Sequence, residues 1–330
     1  MRVLVGDVGG TKTVLAVAEV AGDEVCLESE LRLPSGDYSS LEQLVRRYLD
    51  ETGAVCDRAA LAVAGPVHGD HSRITNLTWD IDARGLAVEF GWHSACLLND
   101  LEAVAWGIPA LGSDDLAVLH PGADDAVGNA CVVAAGTGLG QAGMYWDGSS
   151  HWPFAGEGGH TDFAPATDRE IDLLRWLRGR HGHVSWERLV SGMGIRNIYE
   201  FLASERCDLA GVGLAAEVAG DDLAAAVSAG AIDGSCTLCA EVLAMFVSLY
   251  GREAGNMALK HMALGGVYLG GGIAPKNLDL LRGPLFLDSF FDKGRMEPLM
   301  QRMPVKVVLQ PHTPLFGAAR FMSMKRRADA

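Results

Sequence analysis

Gly6-Asp7-Val8-Gly9-Gly10-Thr11-Lys12-Thr13 is the stretch that decides how this chain is read. The apolar run Val3-Leu4-Val5 precedes it and Val14-Leu15-Ala16-Val17-Ala18 follows, so the glycine loop joins two strands. The stretch nearly matches the phosphate-binding pattern GxxxxGK[ST], but Thr11 stands where a glycine must precede the lysine. That pattern and the dinucleotide fingerprint GxGxxG also need a following helix whose N-terminus faces the phosphates, and strand-like residues follow here. A glycine-rich hairpin can still cradle phosphate, because exposed backbone N–H groups form an anion-binding hollow. Asp7 would repel phosphate unless a divalent cation lay between, so it predicts Mg²⁺. The plainer alternative is that these glycines serve only tight turns.

Working outward, Gly22-Asp23 makes a second turn and residues 25–33 read as a third strand, giving an antiparallel three-stranded start. Ser39 and Glu42 have capping-box spacing, and Leu41, Val45, Tyr48 and Leu49 follow at helical intervals. Residues 61–64 and 95–98 read as short buried strands, with Asn99-Asp100 where the second ends and a helix over 101–106 begins. The pattern then starts again: an apolar strand over 131–135, the loop Gly136-Thr137-Gly138-Leu139-Gly140, and a strand over 141–146. Helical spacing fills 168–178, 186–203, 223–231 and 236–260. A strand over 266–269 runs into Gly270-Gly271-Gly272-Ile273, and the tail reads as a strand over 305–309 and a helix over 315–324. Two α/β halves, each opening with a β-hairpin around a glycine loop, account for this order. A nucleotide held between two lobes explains all three glycine loops together.

Composition narrows the function classes. The chain has 330 residues, long enough for two domains, and 49% apolar with 21% charged residues excludes a disordered or fibrous protein. Its net charge is −15, with no basic block before Lys325-Arg326-Arg327, which opposes a nucleic-acid partner held by phosphate contacts. No apolar run reaches the ~18–20 residues that span a bilayer, and the N-terminus lacks the apolar stretch of a secretory signal. Seven cysteines at irregular spacing fit reduced core residues rather than a disulfide framework. Cys236 and Cys239 form a CxxC without a second pair, which reads as two small apolar residues one helical turn apart. The expectation is a soluble cytosolic protein without a nucleic-acid or membrane partner.

Phosphoryl transfer to an alcohol needs in-line positioning, a metal to offset charge and a carboxylate to accept the hydroxyl proton. Asp100 lies at a strand end, where catalytic groups of open α/β sheets collect, and it equally suits an N-cap of the next helix. Glu157-Gly158-Gly159-His160 is a second polar cluster, flanked by Phe154 and Phe163. Its glycine pair disfavours a helix, so a loop offering a carboxylate and an imidazole to a hydroxyl-rich ligand is expected. Glu187, just after Ser185 and Trp186, reads as readily as a first-turn charge satisfying a helix dipole. His181-Gly182-His183 has the look of a metal pair but lacks a third ligand nearby, and reads as a solvated loop.

Taken together, the motifs resemble the zinc-free bacterial glucokinases (ATP:glucose 6-phosphotransferases) of the hexokinase, heat-shock ATPase and actin superfamily. The residues that carry the resemblance run nearly end to end: Gly6-Asp7-Val8-Gly9-Gly10-Thr11, Ala64-Gly65-Pro66-Val67, Thr75-Asn76-Leu77-Thr78-Trp79, Asn99-Asp100, Gly136-Thr137-Gly138-Leu139-Gly140, Gly156-Glu157-Gly158-Gly159-His160, Ser191-Gly192, Gly270-Gly271-Gly272-Ile273 and Asp292-Lys293-Gly294-Arg295. The related repressor and kinase group carries a cysteine-rich zinc motif soon after its GExGH element. Here Thr161-Asp162-Phe163-Ala164-Pro165 follows, with no cysteine until Cys207.

The resemblance implies an α/β fold of two actin-like ATPase (ribonuclease H-like) lobes with an interlobe cleft. The small lobe would take residues 1–110 plus 311–330, and the large one 111–310. It implies that Asp100 is the general base for the sugar's 6-hydroxyl and that Asn99, Glu157, His160 and Glu187 hold the other hydroxyls. ATP would be bound by Gly6, Asp7, Val8, Gly9, Gly10, Thr11 and Lys12, by Gly136, Thr137 and Gly138, and by Gly271 and Gly272. Mg²⁺ would sit on Asp7 through water, and the working unit would be a homodimer. Glucose is the expected substrate, another hexose or an N-acetyl amino sugar the alternative. From a different class, a non-catalytic sugar-responsive regulator would carry a helix-turn-helix before the first glycine loop, for which a strand beginning at Val3 leaves no room.

Overall fold

A computed structural model of the chain describes residues 1–22, 24–74, 77–205 and 222–328. It divides into two compact units, the first made of Met1–Asp115, Ser150–Ala155 and Gln310–Ala330, the second of Leu116–Ser149 and Gly156–Leu309.

The first unit is built on strand Arg2–Val8, which pairs antiparallel with Lys12–Ala21 and parallel with Arg58–Val63. Arg58–Val63 pairs parallel with Ser94–Asn99, and Glu24–Pro34 lies outside Lys12–Ala21. Both faces of this sheet are covered, which is why its inner strands read as almost continuous apolar runs. Alternation along Arg2–Val8 sorts the residues. Val3 and Val5 pack with Ala103, Trp106, Leu315 and Ala319, under the helices Asp100–Gly107 and Thr313–Ala328. Leu4 and Val8 pack with Leu44, Tyr48 and Leu86 on the other face, under Leu41–Thr52 and Ala83–Phe90.

The cap of Leu41–Thr52 differs from the expected Ser39/Glu42 box. Ser40 is the N-cap and its hydroxyl accepts from the Gln43 amide, while Ser39 donates to the Gln43 side chain. Ser40 and Gln43 have the same box spacing one residue later, and the structure uses that register. A small antiparallel sheet of Val67–His68, His71–Arg73 and Asp80–Asp82 was not anticipated, since runs of two or three residues show no period. Thr75 and Asn76 of the quoted motif, and Cys207, lie outside the described residues.

The second unit repeats the scheme. Ala130–Ala135 pairs antiparallel with Leu139–Trp146 and parallel with Gly266–Gly270, which pairs parallel with Val305–Val308; Leu116–His120 runs antiparallel beside the last. The core includes Trp186, Phe246, Tyr250, Phe286 and Phe290, much of it contributed by the 25-residue helix Thr237–His261.

Three local expectations are corrected here. The helix expected over 186–203 is broken into a 3-10 turn Trp186–Arg188 and the helix Gly192–Ser204. Ser191 forces the break by capping the second piece, its hydroxyl accepting from the Gly194 amide at 3.0 Å while it donates to the Glu187 carbonyl at 2.6 Å. His181 ends the helix Asp168–His181 rather than sitting in a loop, and Gly182 (φ 71°) turns the chain away. Cys236 is half-buried as the N-cap of Thr237–His261, its sulfur accepting from the amide of the buried Cys239, so only the second cysteine is plain core.

Candidate active site

In the first unit the parallel register sets Val8 beside Val63 and Val63 beside Asn99. The loop leaving the first strand and the Asn99-Asp100 pair therefore share one carboxyl edge, two strand spacings or roughly 10 Å apart. Gly6 and Val8 belong to the strand itself. A Cβ on Gly6 would stand 2.7 Å from the methyls of Leu15 and Leu61, and Val8 is fully buried with its carbonyl taken by the Ala64 amide. Any ligand contact from these two would come through backbone. Gly9 to Lys12 form the open turn. It is pinned from beneath by Ser35, which sequence reasoning missed: its hydroxyl donates to the Gly9 carbonyl at 2.7 Å and its amide to the Thr11 carbonyl at 3.1 Å.

Asp7 is half-buried at the base of this turn. Burial pushes its carboxyl above the ordinary range, and the charges of Lys12 and His312 pull it back toward ionisation. A carboxyl so placed gains from any further cation. Among the described residues no group of three or more His, Cys, Asp or Glu side chains could hold a metal by itself. The donor set thus suits a cation that keeps waters and takes substrate oxygens, as Mg²⁺ does, rather than a protein cage.

Asn99 rather than Asp100 caps the helix Asp100–Gly107. Its Oδ1 accepts from the Leu101 and Glu102 amides at 3.0 and 3.3 Å, and its Nδ2 donates to the Gly65 carbonyl at 3.2 Å. Asp100 is the first helical residue, half-buried, with one carboxylate oxygen 3.0 Å from the Leu101 amide. The helix is seated by the crossing of its end with Thr313–Ala328, where Gly107 and Gly317 leave no room for side chains.

In the second unit the Gly136–Gly138 loop and Gly271-Gly272 follow neighbouring parallel strands, Ala134 pairing beside Gly270. Gly271 adopts φ 77°, and a Cβ there would fall 2.3 Å from the Ala135 carbonyl oxygen, so both turn geometry and space demand glycine. The Gly136 amide donates to the Gly138 carbonyl, and the Gly192 amide to the Gly136 carbonyl. The loop is thereby fastened to the start of helix Gly192–Ser204. A cavity of about 460 Å³ opens here, lined by Gly136, Thr137, Gly192 and Gly272 together with Ile195, Ala224, Ser228, Ile273 and Lys276. That size and mixed lining suit a small organic ligand. Of the last five only Ile273 adjoins a quoted glycine motif; the other four were not anticipated, and three different helices supply the five.

The other polar residues of this unit surround the same strand. Glu157 precedes and His160 ends a 3-10 turn, Gly158–His160, tighter than the loop expected. Both are exposed, with His160 Nε2 and Glu157 Oε2 3.9 Å apart. Glu187 lies in the 3-10 turn that follows Ser185, and its Oε2 accepts from the Leu139 amide at 3.0 Å, directly under Gly138. The Trp186 amide donates to the Thr161 carbonyl, which joins the Glu187 turn to the Glu157 turn. His183, by contrast, is taken by Asp162, Nε2 to Oδ1 2.9 Å. Asp292 and Lys293 pack on the long helix, the first near Arg252 Nη1 at 3.3 Å, the second donating to the Arg252 carbonyl at 3.0 Å.

A family model described as glucokinase matches residues 4–325. The chain belongs to the glucokinase family. It is 41% identical over 317 residues to the glucokinase of Marinobacter nauticus, covering 96% of this chain and 95% of that one. It is 39% identical over 332 residues to the glucokinase of Trichormus variabilis, covering 96% and 97%. Among solved structures, the crystal structure of a glucokinase from an Antarctic psychrotroph is 34% identical, with a TM-score of 0.86 over 98% of this chain and 99% of the other. The mixed α/β fold described above is the fold of the actin-like ATPases, to which these relatives belong.

Proposed function

We propose that this chain transfers the γ-phosphoryl group of ATP to the 6-hydroxyl of glucose, with Asp100 as the base that takes the hydroxyl proton. The observation that carries this reading is the register Val8–Val63–Asn99, which sets a glycine turn suited to phosphate and a helix-initial carboxylate on one sheet edge. Asn99 supports the assignment by taking the N-cap position, which leaves Asp100 as the first helical residue at the strand's carboxyl end.

Each residue set then has a task. The turn from Gly9 to Lys12 would hold the phosphates, Lys12 adding a cation. The cavity at Gly136, Thr137 and Gly272 would take the nucleoside end of ATP, its phosphates aided by the positive start of the 13-residue helix Gly192–Ser204. Asp7 would hold Mg²⁺ through water, and the bound ion would offset the charge on the triphosphate. Asn99, Glu157, His160 and Glu187 would pair with sugar hydroxyls, which need several donors and acceptors at once. Asp100 would accept the proton of the 6-hydroxyl as that oxygen bonds to the γ-phosphorus and the bond from phosphorus to the departing ADP oxygen breaks. The family resemblance implies a homodimer as the working unit, and the irregularly spaced cysteines imply a cytoplasmic one.

Steady-state kinetics with ATP and glucose, mannose or N-acetylglucosamine test this reading. The highest kcat/KM should be for glucose; a preference for the acetylated sugar would overturn the substrate assignment, and binding of glucose with no turnover would overturn the enzyme.

A further inference from the structure

Strand Leu139–Trp146 carries one polar side chain that the reading above does not use. Gln141 is 1% exposed, and its Nε2 donates to Glu253 Oε1 at 2.7 Å. Glu253 sits on the long helix with no exposure at all, and its second oxygen accepts from Asn256 Nδ2 at 3.0 Å. The carboxylate thus fixes which way the Gln141 amide points. Nitrogen faces the helix, and the oxygen faces the turn bearing Glu157 and His160. That oxygen lies where a Cβ on Gly158 would be only 1.9 Å away, and it accepts no hydrogen bond. Gly159 lies equally flat on the strand, its missing Cβ 2.0 Å from the Leu139 carbonyl oxygen.

This arrangement is costly if its only task is to fill the core. A fully buried carboxyl loses its hydration, which pushes its protonation upward against the opposing bonds from Gln141 and Asn256 and the charges of Lys260 and Lys293. An orphaned buried acceptor adds a further penalty, which a leucine at 141 would remove while leaving the Glu253 carboxyl one donor short. The Gln141 amide oxygen does, however, lie directly beneath Gly158 in the turn, held there by its nitrogen's bond to Glu253.

We propose that Gln141 and Glu253 are positioning residues for sugar binding: the helix-borne carboxylate locks the Gln141 amide, and the amide oxygen sets the Gly158 turn so that Glu157 and His160 meet the sugar hydroxyls. The inference rests on the reading that Glu157 and His160 hold the sugar. Neither Gln141 nor Glu253 touches substrate in this scheme; they act through the turn.

The test is a split between Michaelis constants in the full-length enzyme. Gln141→Leu and Glu253→Leu should each raise KM for glucose roughly tenfold, with KM for ATP and kcat within about threefold of the parent. Glu253→Gln still offers a carbonyl to Gln141 and should hold KM for glucose near the parent value. Should either leucine variant fail to fold, Gly158→Ala attacks the same contact from the turn and should give the same split. A folded Gln141→Leu enzyme with unchanged KM for glucose overturns the proposal, as does an equal rise in both KM values. Glu157→Gln and His160→Asn are run alongside. If they raise KM for glucose and Gln141→Leu does not, the positioning proposal alone falls; if they too leave it unchanged, the sugar-binding reading falls with it.

Discussion

Gly317 meets the carbonyl oxygen of Ala103 so closely that a Cβ on the glycine would stand 1.7 Å from it. The contact joins the C-terminal helix to the helix that starts at Asp100, and Gly107 against Thr313 makes the same crossing from the other side. Gly317→Ala must therefore push the two helices apart. Overpacking of this kind costs about 1–3 kcal/mol. The expected outcome is a lower urea midpoint together with a lower kcat, measured on the same preparation; loss of stability with kcat intact would separate the crossing from the position of Asp100.

Asp100→Asn keeps the shape of the side chain and removes its basicity. kcat should fall by ~10²–10⁴, the range of a single general base, while calorimetry still detects glucose binding. Turnover close to that of the parent would end the base assignment.

Gly271→Ala places a methyl against the Ala135 carbonyl at a φ of 77°. The strain, about 1–3 kcal/mol, falls on the residue that leads into Gly136 and hence on one wall of the 460 Å³ cavity. KM for ATP should rise about tenfold and KM for glucose by less than about twofold. The reverse pattern would place the nucleoside elsewhere.

Lys293 offers a pH test. Burial is the main cause that lowers its ammonium from 10.5 to about 8, aided by the nearby Arg252 charge. Between those values the folded protein binds fewer protons here than the unfolded chain, so this group's contribution to stability grows as pH rises through the window and is lost below about 8. Urea midpoints at pH 7.5 and 9.5 give the slope. Buried thiols and phenols such as Cys131 and Tyr250 slope the other way, so the informative quantity is the difference from Lys293→Met, which should show a more negative change with pH than the parent.

The strand–glycine loop–strand openings were readable because each is a long apolar run interrupted by residues that cannot continue it. Residues 13–20 and 131–135 appear in the structure as strands extended by a few residues. The register that brings Val8, Val63 and Asn99 into line was not readable, since it depends on pairing between runs about fifty and thirty-five residues apart. Asp100 read in sequence as an N-cap as readily as a catalytic group, and only coordinates show that Asn99 is the cap and Asp100 the first helical residue. Ser35 under the turn from Gly9 to Lys12, and Ile195 and Lys276 around the cavity, carry no pattern of their own. Glu187 illustrates the opposite limit: its bond to the Leu139 amide spans 48 residues, and nothing near it in the chain announces that partner.

The helix Thr313–Ala328 has a bearing on biosynthesis. It covers one face of a sheet whose first strand begins at Arg2. A ribosome has therefore passed residue 313 before that helix can shield the face, and the helix that begins at Asp100 waits until then for its partner in the crossing. Nascent chains arrested before residue 313 should present Val3, Val5, Ala60 and Leu98 to chaperones, whereas the contiguous stretch from 156 to 309 suffers no such delay.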